Sequence, residues 1–277
     1  MMFIEPPPSD PDLRHALYSG QAVHGSSTAG SRALIQRVWD WVCDAFPNGD
    51  PRNTAGSLDP LDTFQRIGRL RRQIFEADEV RTDLARLLQD FGLDPADYRF
   101  DPPKLRVVLS DGHKNPRAAP LYAAHRDTWY GHPQSLITWW IPLHDACAEE
   151  TFEFYPDALH AAVANDSHTF DPAQWSRDLR IGWQDADAGL RETYPALQTD
   201  TESVLRRTEG FECRGGDNLL FAGAHLHRTR PQSFGRARYS LDFRLAHIED
   251  TRAGRGAPNV DDRSGSGAFS SYFAFPS

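Results

Sequence analysis

The stretch that decides the fold is GGDNLLFAGAHLHRTRPQSFGRARYSLDFR, residues 215–244. A turn at Gly215-Gly216-Asp217 opens it, and an apolar strand is predicted over Asn218–Phe221. A histidine follows at 227, a second turn at Ser233–Gly235, and a last strand within Arg238–Ile248. That strand alternates: Arg238, Ser240, Asp242 and Arg244 share one face, and Tyr239, Leu241, Phe243 and Leu245 the other. Its polar face reads in two ways, as a solvent-facing edge or as the wall of an internal cavity that holds an anion. Working outward, short β-branched or aromatic runs predict further strands at Lys104–Leu109, Leu136–Leu143, Thr151–Tyr155, Ser203–Arg207 and Gly210–Arg214.

Helices come first in the chain. Between Ser31 and Ala45, apolar residues Leu34, Ile35, Val38, Trp39, Val42 and Cys43 recur at helical spacing. Two more helices are predicted from Pro60 to Ala77 and from Ala77 to Phe91, where Val80, Leu84, Leu87 and Leu88 form one apolar stripe and Gly92 closes the run. Helices followed by strands predict a β-sheet core flanked by helices, not alternating βαβ units. One catalytic domain spans 1–277 on this reading, with a helical buttress over 1–100 and a β core over 104–248. Residues 1–30 read as an arm or irregular cap, 161–200 as a helical insertion, and 249–277 as a tail whose FSSYFAF segment docks on the domain.

The chain has 277 residues, with 30 Lys plus Arg against 39 Asp plus Glu, a formal net charge of −9. That balance argues against a dedicated nucleic-acid binder, which needs a basic footprint. No run of apolar residues is long enough for a membrane helix, and MMFIEPPPSD lacks the basic and apolar regions of a secretory leader. Three scattered cysteines, Cys43, Cys147 and Cys213, form no disulfide framework and no CxxC zinc motif, so a reducing, cytoplasmic setting is expected.

Chemistry enters with His125-Arg126-Asp127. If these residues end a strand, period-two alternation puts the imidazole and the carboxylate on one side. A second imidazole from the 215–244 stretch completes two histidines and one carboxylate, the facial triad that leaves three positions of Fe(II) open. A hydrolytic zinc site usually brings a Glu base as well, and no HExxH is present.

The HRD triplet, then WWIPLHDACAEETFEFYPDALH, then GDNLLFAGAHLHRT and GRARYSLDFR resemble the Fe(II)/2-oxoglutarate-dependent oxygenases, and within them the phytanoyl-CoA dioxygenase-like branch. The resemblance covers roughly residues 104–248. It implies a double-stranded β-helix, the cupin-like jelly-roll of two facing antiparallel sheets, with N-terminal helices and a helical lid at 161–200. It also implies Fe(II), 2-oxoglutarate and O2 as metal, cosubstrate and oxidant. Carried over, His125, Asp127 and His227 are the metal ligands. His225 is the rival that strand alternation alone does not exclude. Arg238 is placed to grip the distal carboxylate of 2-oxoglutarate through a bidentate guanidinium pair, with Ser240 in phase beside it. Arg236 and Arg244 are its alternatives, and Thr138 and Trp140 are candidates to face the cosubstrate.

Asp127 occupies the position that related halogenases leave to Gly or Ala, so the resemblance implies hydroxylation, desaturation, ring formation or epimerisation of a small molecule, with release of succinate and CO2. Arg106, Trp129, Tyr130 and Gln134 are the candidate substrate contacts, and Arg126 another basic one. A small polar metabolite, of the kind met in secondary metabolism, is the expected partner. Two other readings stay open: a metal-dependent jelly-roll enzyme that uses no 2-oxoglutarate, and a metal-free cupin-like binding module.

Overall fold

The computed structural model describes residues 3–172, 195, 197–198, 207–265 and 267–276. Its frame is a seven-stranded sheet built from strands β1 (Phe3–Ile4), β2 (Ala22–Gly25), β3 (Tyr98–Val108), β4 (Leu136–Pro142), β6 (Asn218–Ala222), β8 (Arg238–His247) and β9 (Phe273–Ala274). The order across the sheet is β1-β2-β6-β4-β8-β3-β9. Only the β1–β2 pair is parallel. A smaller antiparallel pair joins β5 (Phe152–Phe154) to β7 (His227–Thr229). Aromatic side chains fill the space between the two: Trp140, Phe152, Phe154, Phe211 and Phe221 form one buried cluster with Ala22, Cys213 and Leu219. The result is a mixed α/β molecule around a large, mostly antiparallel sheet.

Helices cover the other face of the large sheet. They are α1 (Asp10–Tyr18), α2 (Ala29–Ala45), α3 (Pro51–Thr54), α4 (Pro60–Glu76) and α5 (Asp78–Asp90). Helix α2 starts where the Thr28 side chain accepts the Ser31 N–H and the Ser31 side chain accepts the Thr28 N–H, a reciprocal cap. Its apolar stripe, Leu34, Val38 and Val42, meets Leu84, Leu87 and Leu88 of α5 and the outward residues Trp139, Tyr239, Leu241, Phe243 and Leu245 of β4 and β8. At Gly30 a Cβ would lie 2.7 Å from the Leu87 backbone nitrogen, so glycine lets α2 and α5 approach this closely.

The long helices and the strands β4, β5, β6 and β8 lie where periodicity predicts them. The start of the chain does not. Residues 1–30 are no irregular cap: they contribute two strands to the large sheet and a helix whose Leu13 and Leu17 are buried. Such short elements carry too little period to be read from sequence. Strand β3 starts at Tyr98, six residues before the expected Lys104, and passes Pro102-Pro103 by a register shift between Asp101 and Lys104. Residues 210–214 form no strand of their own: Cys213 makes an isolated bridge to Ala146, and Glu209, just before them, bridges Phe154 of β5. Most of the expected 203–207 strand and of the 161–200 lid lies outside the described residues. The tail docks as expected: β9 pairs with β3, and Phe273 and Phe275 pack on the core. No helix among the described residues is long and apolar enough to cross a membrane.

Candidate metal centre

Strand β8 lies between β4 and β3, so both of its hydrogen-bonding edges are paired and it is no edge strand. Its polar face points inward, between the sheets. Arg238, Ser240 and Arg244 are 3%, 0% and 5% exposed. Of the two readings of this face, the internal wall holds. Charge pairs across it follow the register. Arg106 of β3 sits opposite Ser240 and makes a two-pronged pair with Asp242, 2.9 and 3.1 Å. Lys104 pairs with Asp101 at 2.7 Å. Arg244 reaches Asp101 at 3.3 Å and Asp127 at 2.9 Å.

Three ligand groups converge beside this wall. One ligand atom from each of His125, Asp127 and His227 lies within 4.8 Å of the others. Strand alternation is not what brings the first two together. His125 forms a two-way backbone bridge with His227, N to O at 3.0 Å in both directions, and this sets the two rings side by side, tilted by 51° with centroids 4.5 Å apart. Asp127 begins a 3-10 turn, Asp127–Tyr130, which folds its carboxylate back under the rings. Gly131 ends that turn at φ +75, where a Cβ would stand 2.5 Å from the Gly265 carbonyl.

Each ligand is fixed from behind. The Nδ1 of His125 lies 3.0 Å from the Ala123 carbonyl, and the Nδ1 of His227 lies 3.0 Å from the carbonyl of His225. A carbonyl only accepts, so both Nδ1 atoms carry the proton and both Nε2 atoms are left as lone-pair donors. Asp127 accepts from Thr138 Oγ1 at 2.5 Å and from Arg244 Nη2 at 2.9 Å. Burial, and then the neighbouring His227, pushes His125 down to about 4. Burial likewise lowers His227. Burial by itself would raise Asp127, but Arg244 and the two imidazoles outweigh it and hold the carboxyl well below its usual range. At neutral pH the trio is two neutral imidazoles and one carboxylate, the charge state in which these groups bind a divalent cation.

His225 is 1% exposed, and neither of its ring nitrogens has a partner among the described residues. It precedes β7, so alternation does not govern it. Its ring packs edge-on to Phe154 and Phe221, apart from the cluster that His227 joins.

Among the arginines considered for an anion, Arg236 is taken by Glu150, 2.8 and 2.9 Å, and Arg244 by Asp127 and Asp101. Arg238 has no carboxylate among the described residues. Its Nη1 donates to Ser240 at 3.2 Å, its Nε is unpartnered, and its guanidinium stands 5.7 Å from the Trp140 ring centroid. Burial and the nearby Arg106 lower it to about 10. Three carboxylates, Asp101, Asp127 and Asp242, thus face four cations, and the surplus charge rests on Arg238. Trp140 lies between Arg238 and Phe152, whose ring is 5.6 Å from that of His227.

The remaining candidates divide. Tyr130 is half-buried with its ring 5.6 Å from that of His125. Thr138 braces Asp127, and Arg106 is tied to Asp242. Trp129, a candidate substrate contact, is fully buried and donates its Nε1 hydrogen to Asp261. Arg126 is engaged with the same Asp261 and with the carbonyls of Ala224, Ala158 and Ala161. Gln134 gives its main-chain carbonyl to Ala257, and its Oε1 is buried without a partner. Sequence reasoning missed the bracing role of Arg244 and the particular contact that the docked tail makes, Tyr272 with His132 at 2.9 Å near Asp101. The alternation of β8 put Arg244 on the polar face, but only the fold joins it to Asp127.

Neither a family model nor a curated protein matches the chain. Solved structures do. AviO1 from Streptomyces viridochromogenes Tue57 aligns at 13% identity and a TM-score of 0.41, covering 89% of this chain and 97% of that one. The non-heme alpha ketoglutarate dependent epimerase SnoN from nogalamycin biosynthesis aligns at 14% and 0.40, covering 92% and 98%. HygX from Streptomyces hygroscopicus, solved with nickel and 2-oxoglutarate bound, aligns at 15% and 0.38, covering 89% and 93%. At such identities the residues of this chain must carry the functional assignment by themselves.

Proposed function

We propose that this chain is an Fe(II)- and 2-oxoglutarate-dependent oxygenase acting on a small-molecule metabolite, built as a single catalytic domain on a double-stranded β-helix. The observation that carries this reading is the convergence of His125, Asp127 and His227 beside a buried arginine that has no carboxylate partner among the described residues. The donor set fits a ferrous ion: two Nε2 lone pairs and one carboxylate, with no sulfur and no fourth protein ligand in the cluster. A ferrous ion held there with 2-oxoglutarate would supply O2 activation coupled to loss of CO2 and formation of succinate.

The protein's own part is binding, orientation and charge. Ala123 and His225 carbonyls aim the two Nε2 atoms, and Thr138 and Arg244 hold the Asp127 carboxylate ionised. Arg238, with Ser240, suits the distal carboxylate of 2-oxoglutarate, because a buried guanidinium with no carboxylate among the described residues gains most from a bidentate one. Trp140 floors that subsite. Tyr130 faces the open side of His125 and is the residue of this set best placed to touch substrate. Asp127 fills the carboxylate position, which favours hydroxylation, desaturation, cyclisation or epimerisation over halogen transfer. The paired charges of the inner wall favour a polar substrate, of the kind oxidised in secondary metabolism.

Succinate release with Fe(II), ascorbate and 2-oxoglutarate, screened over a metabolite panel, tests the reading. Turnover is expected to disappear in His125→Ala, Asp127→Ala and His227→Ala while circular dichroism shows an intact fold. Full activity in any of these variants overturns it.

A further inference from the structure

A second set of metal-ligand side chains lies at the edge of the large sheet. His24 sits on β2 opposite Leu219 of β6. Asp217 ends the turn that leads into β6, and Cys213 lies four residues before it. The His24 Nε2 stands 3.5 Å from Cys213 Sγ and 3.4 Å from an Asp217 oxygen. All three ligand atoms fall within 4.8 Å of one another. This is the Asn218 end of β6, whereas Thr138, which braces Asp127, pairs with Phe221 near the other end.

We propose that His24, Cys213 and Asp217 form a second metal site, separate from the triad, that takes a divalent cation of the zinc type. Tetrahedral Zn2+ with ordinary bond lengths separates a nitrogen from a sulfur ligand by about 3.6 Å and a nitrogen from an oxygen ligand by about 3.4 Å. The observed separations, 3.5 and 3.4 Å, match both. The ligands are also held in advance. Cys213 is fixed by a two-way backbone bridge to Ala146, 2.9 and 3.1 Å, and His24 by the β2–β6 ladder. The Asp217 carboxylate is steadied by the Arg214 N–H at 2.9 Å. One sulfur, one nitrogen and one oxygen donor select a borderline-soft cation over Mg2+ or Ca2+. The Cys213 side chain is buried, but that of His24 is one-third exposed, so the fourth position opens to water. Binding replaces the Cys213 S–H bond by a sulfur–metal bond and releases that proton to solvent. The cation would then clamp the first strands of the chain to the turn before β6.

The test uses full-length, reduced, metal-free protein titrated with Co2+ alone. Only a sulfur ligand gives a thiolate-to-cobalt charge-transfer band in the near ultraviolet, and the triad has none. In Asp127→Ala, whose triad is disabled, the band is expected to persist and saturate at one Co2+ per chain; in the wild type it is expected to form and to collapse on addition of Zn2+, and in Cys213→Ser to vanish. His24→Gln, at a partly exposed side chain, is expected to weaken the band's Co2+ affinity roughly tenfold or more while the chain stays folded. Absence of the band in folded wild-type protein, its survival in Cys213→Ser, its loss in Asp127→Ala, or an unchanged affinity in His24→Gln overturns the proposal. None of these readouts depends on turnover, so the proposed oxygenase activity stands or falls separately.

Discussion

Arg238→Met separates a cosubstrate-binding arginine from an ordinary buried one. Methionine keeps an unbranched apolar stem over Trp140 and removes the charge. In the structure the guanidinium is 3% exposed, makes one hydrogen bond at 3.2 Å and leaves Nε without a partner. A buried, unpaired charge costs free energy. Its removal therefore leaves the ligand-free chain at the same Tm or a higher one. Binding tells the opposite story. Truncating one member of a buried, hydrogen-bonded charge pair costs about 2–5 kcal/mol, roughly 30- to 4,000-fold in affinity. The KM for 2-oxoglutarate, read by succinate release, is expected to rise at least about 30-fold. The thermal shift that 2-oxoglutarate gives with Mn2+ in the wild type is expected to vanish. Breaking a structural ion pair would instead cost about 3–5 kcal/mol, or roughly 6–20 °C in Tm for a chain of this size. A fall of that order, together with unchanged 2-oxoglutarate saturation, refutes the reasoning.

Arg126→Met, which removes the guanidinium paired with Asp261 and bonded to three carbonyls, is expected to lower stability by about 3–5 kcal/mol in chemical denaturation; a loss near zero contradicts a structural role. His225→Leu exchanges a buried imidazole without hydrogen bonds for an apolar group and is expected to leave Mn2+ affinity within about threefold, whereas His227→Ala abolishes it; the reverse result would make His225 the ligand. Burial, opposed by the Asp145 backbone contact, pushes His144 down from 6.5 to about 4, and its Nε2 accepts the Tyr239 N–H at 3.0 Å. The unfolded chain therefore binds the extra proton first, and stability is lost as pH falls from about 6.5 toward 4. Urea midpoints at several pH values are expected to fall less steeply in His144→Gln than in the wild type, and parallel slopes would remove His144 from the acid response.

Much of the fold was legible in particular residues. The stripe Val80, Leu84, Leu87 and Leu88 announces α5, and the clean alternation of Arg238 to Leu245 announces β8, because burial on one side imposes the period of the element. The parts that escaped are those with no period of their own. Strands β1 and β2 are two and four residues long, and the path of β3 through Pro102-Pro103 reads as a break until its partner β8 shows a bulge. The site shows the same division. His125 and Asp127 are candidates on residue type, and His227 and Arg238 are those the resemblance implied. The partners that set their charge, Thr138, Arg244, Ala123 and His225, are met across strands or at turns.

The sequence by itself determined the helices, the central strands and the identity of the chemically capable side chains, since these depend on patterns within a few residues. The tertiary structure alone decided that the polar face of β8 looks inward, that Arg244 is held by Asp127 while Arg238 is left without an acid, and that His227 joins the cluster while His225 does not. Those outcomes depend on strand order and on one backbone bridge between His125 and His227, residues a hundred positions apart. Long-range pairing leaves no local period in a sequence, and it is what places a charge beside its counter-charge.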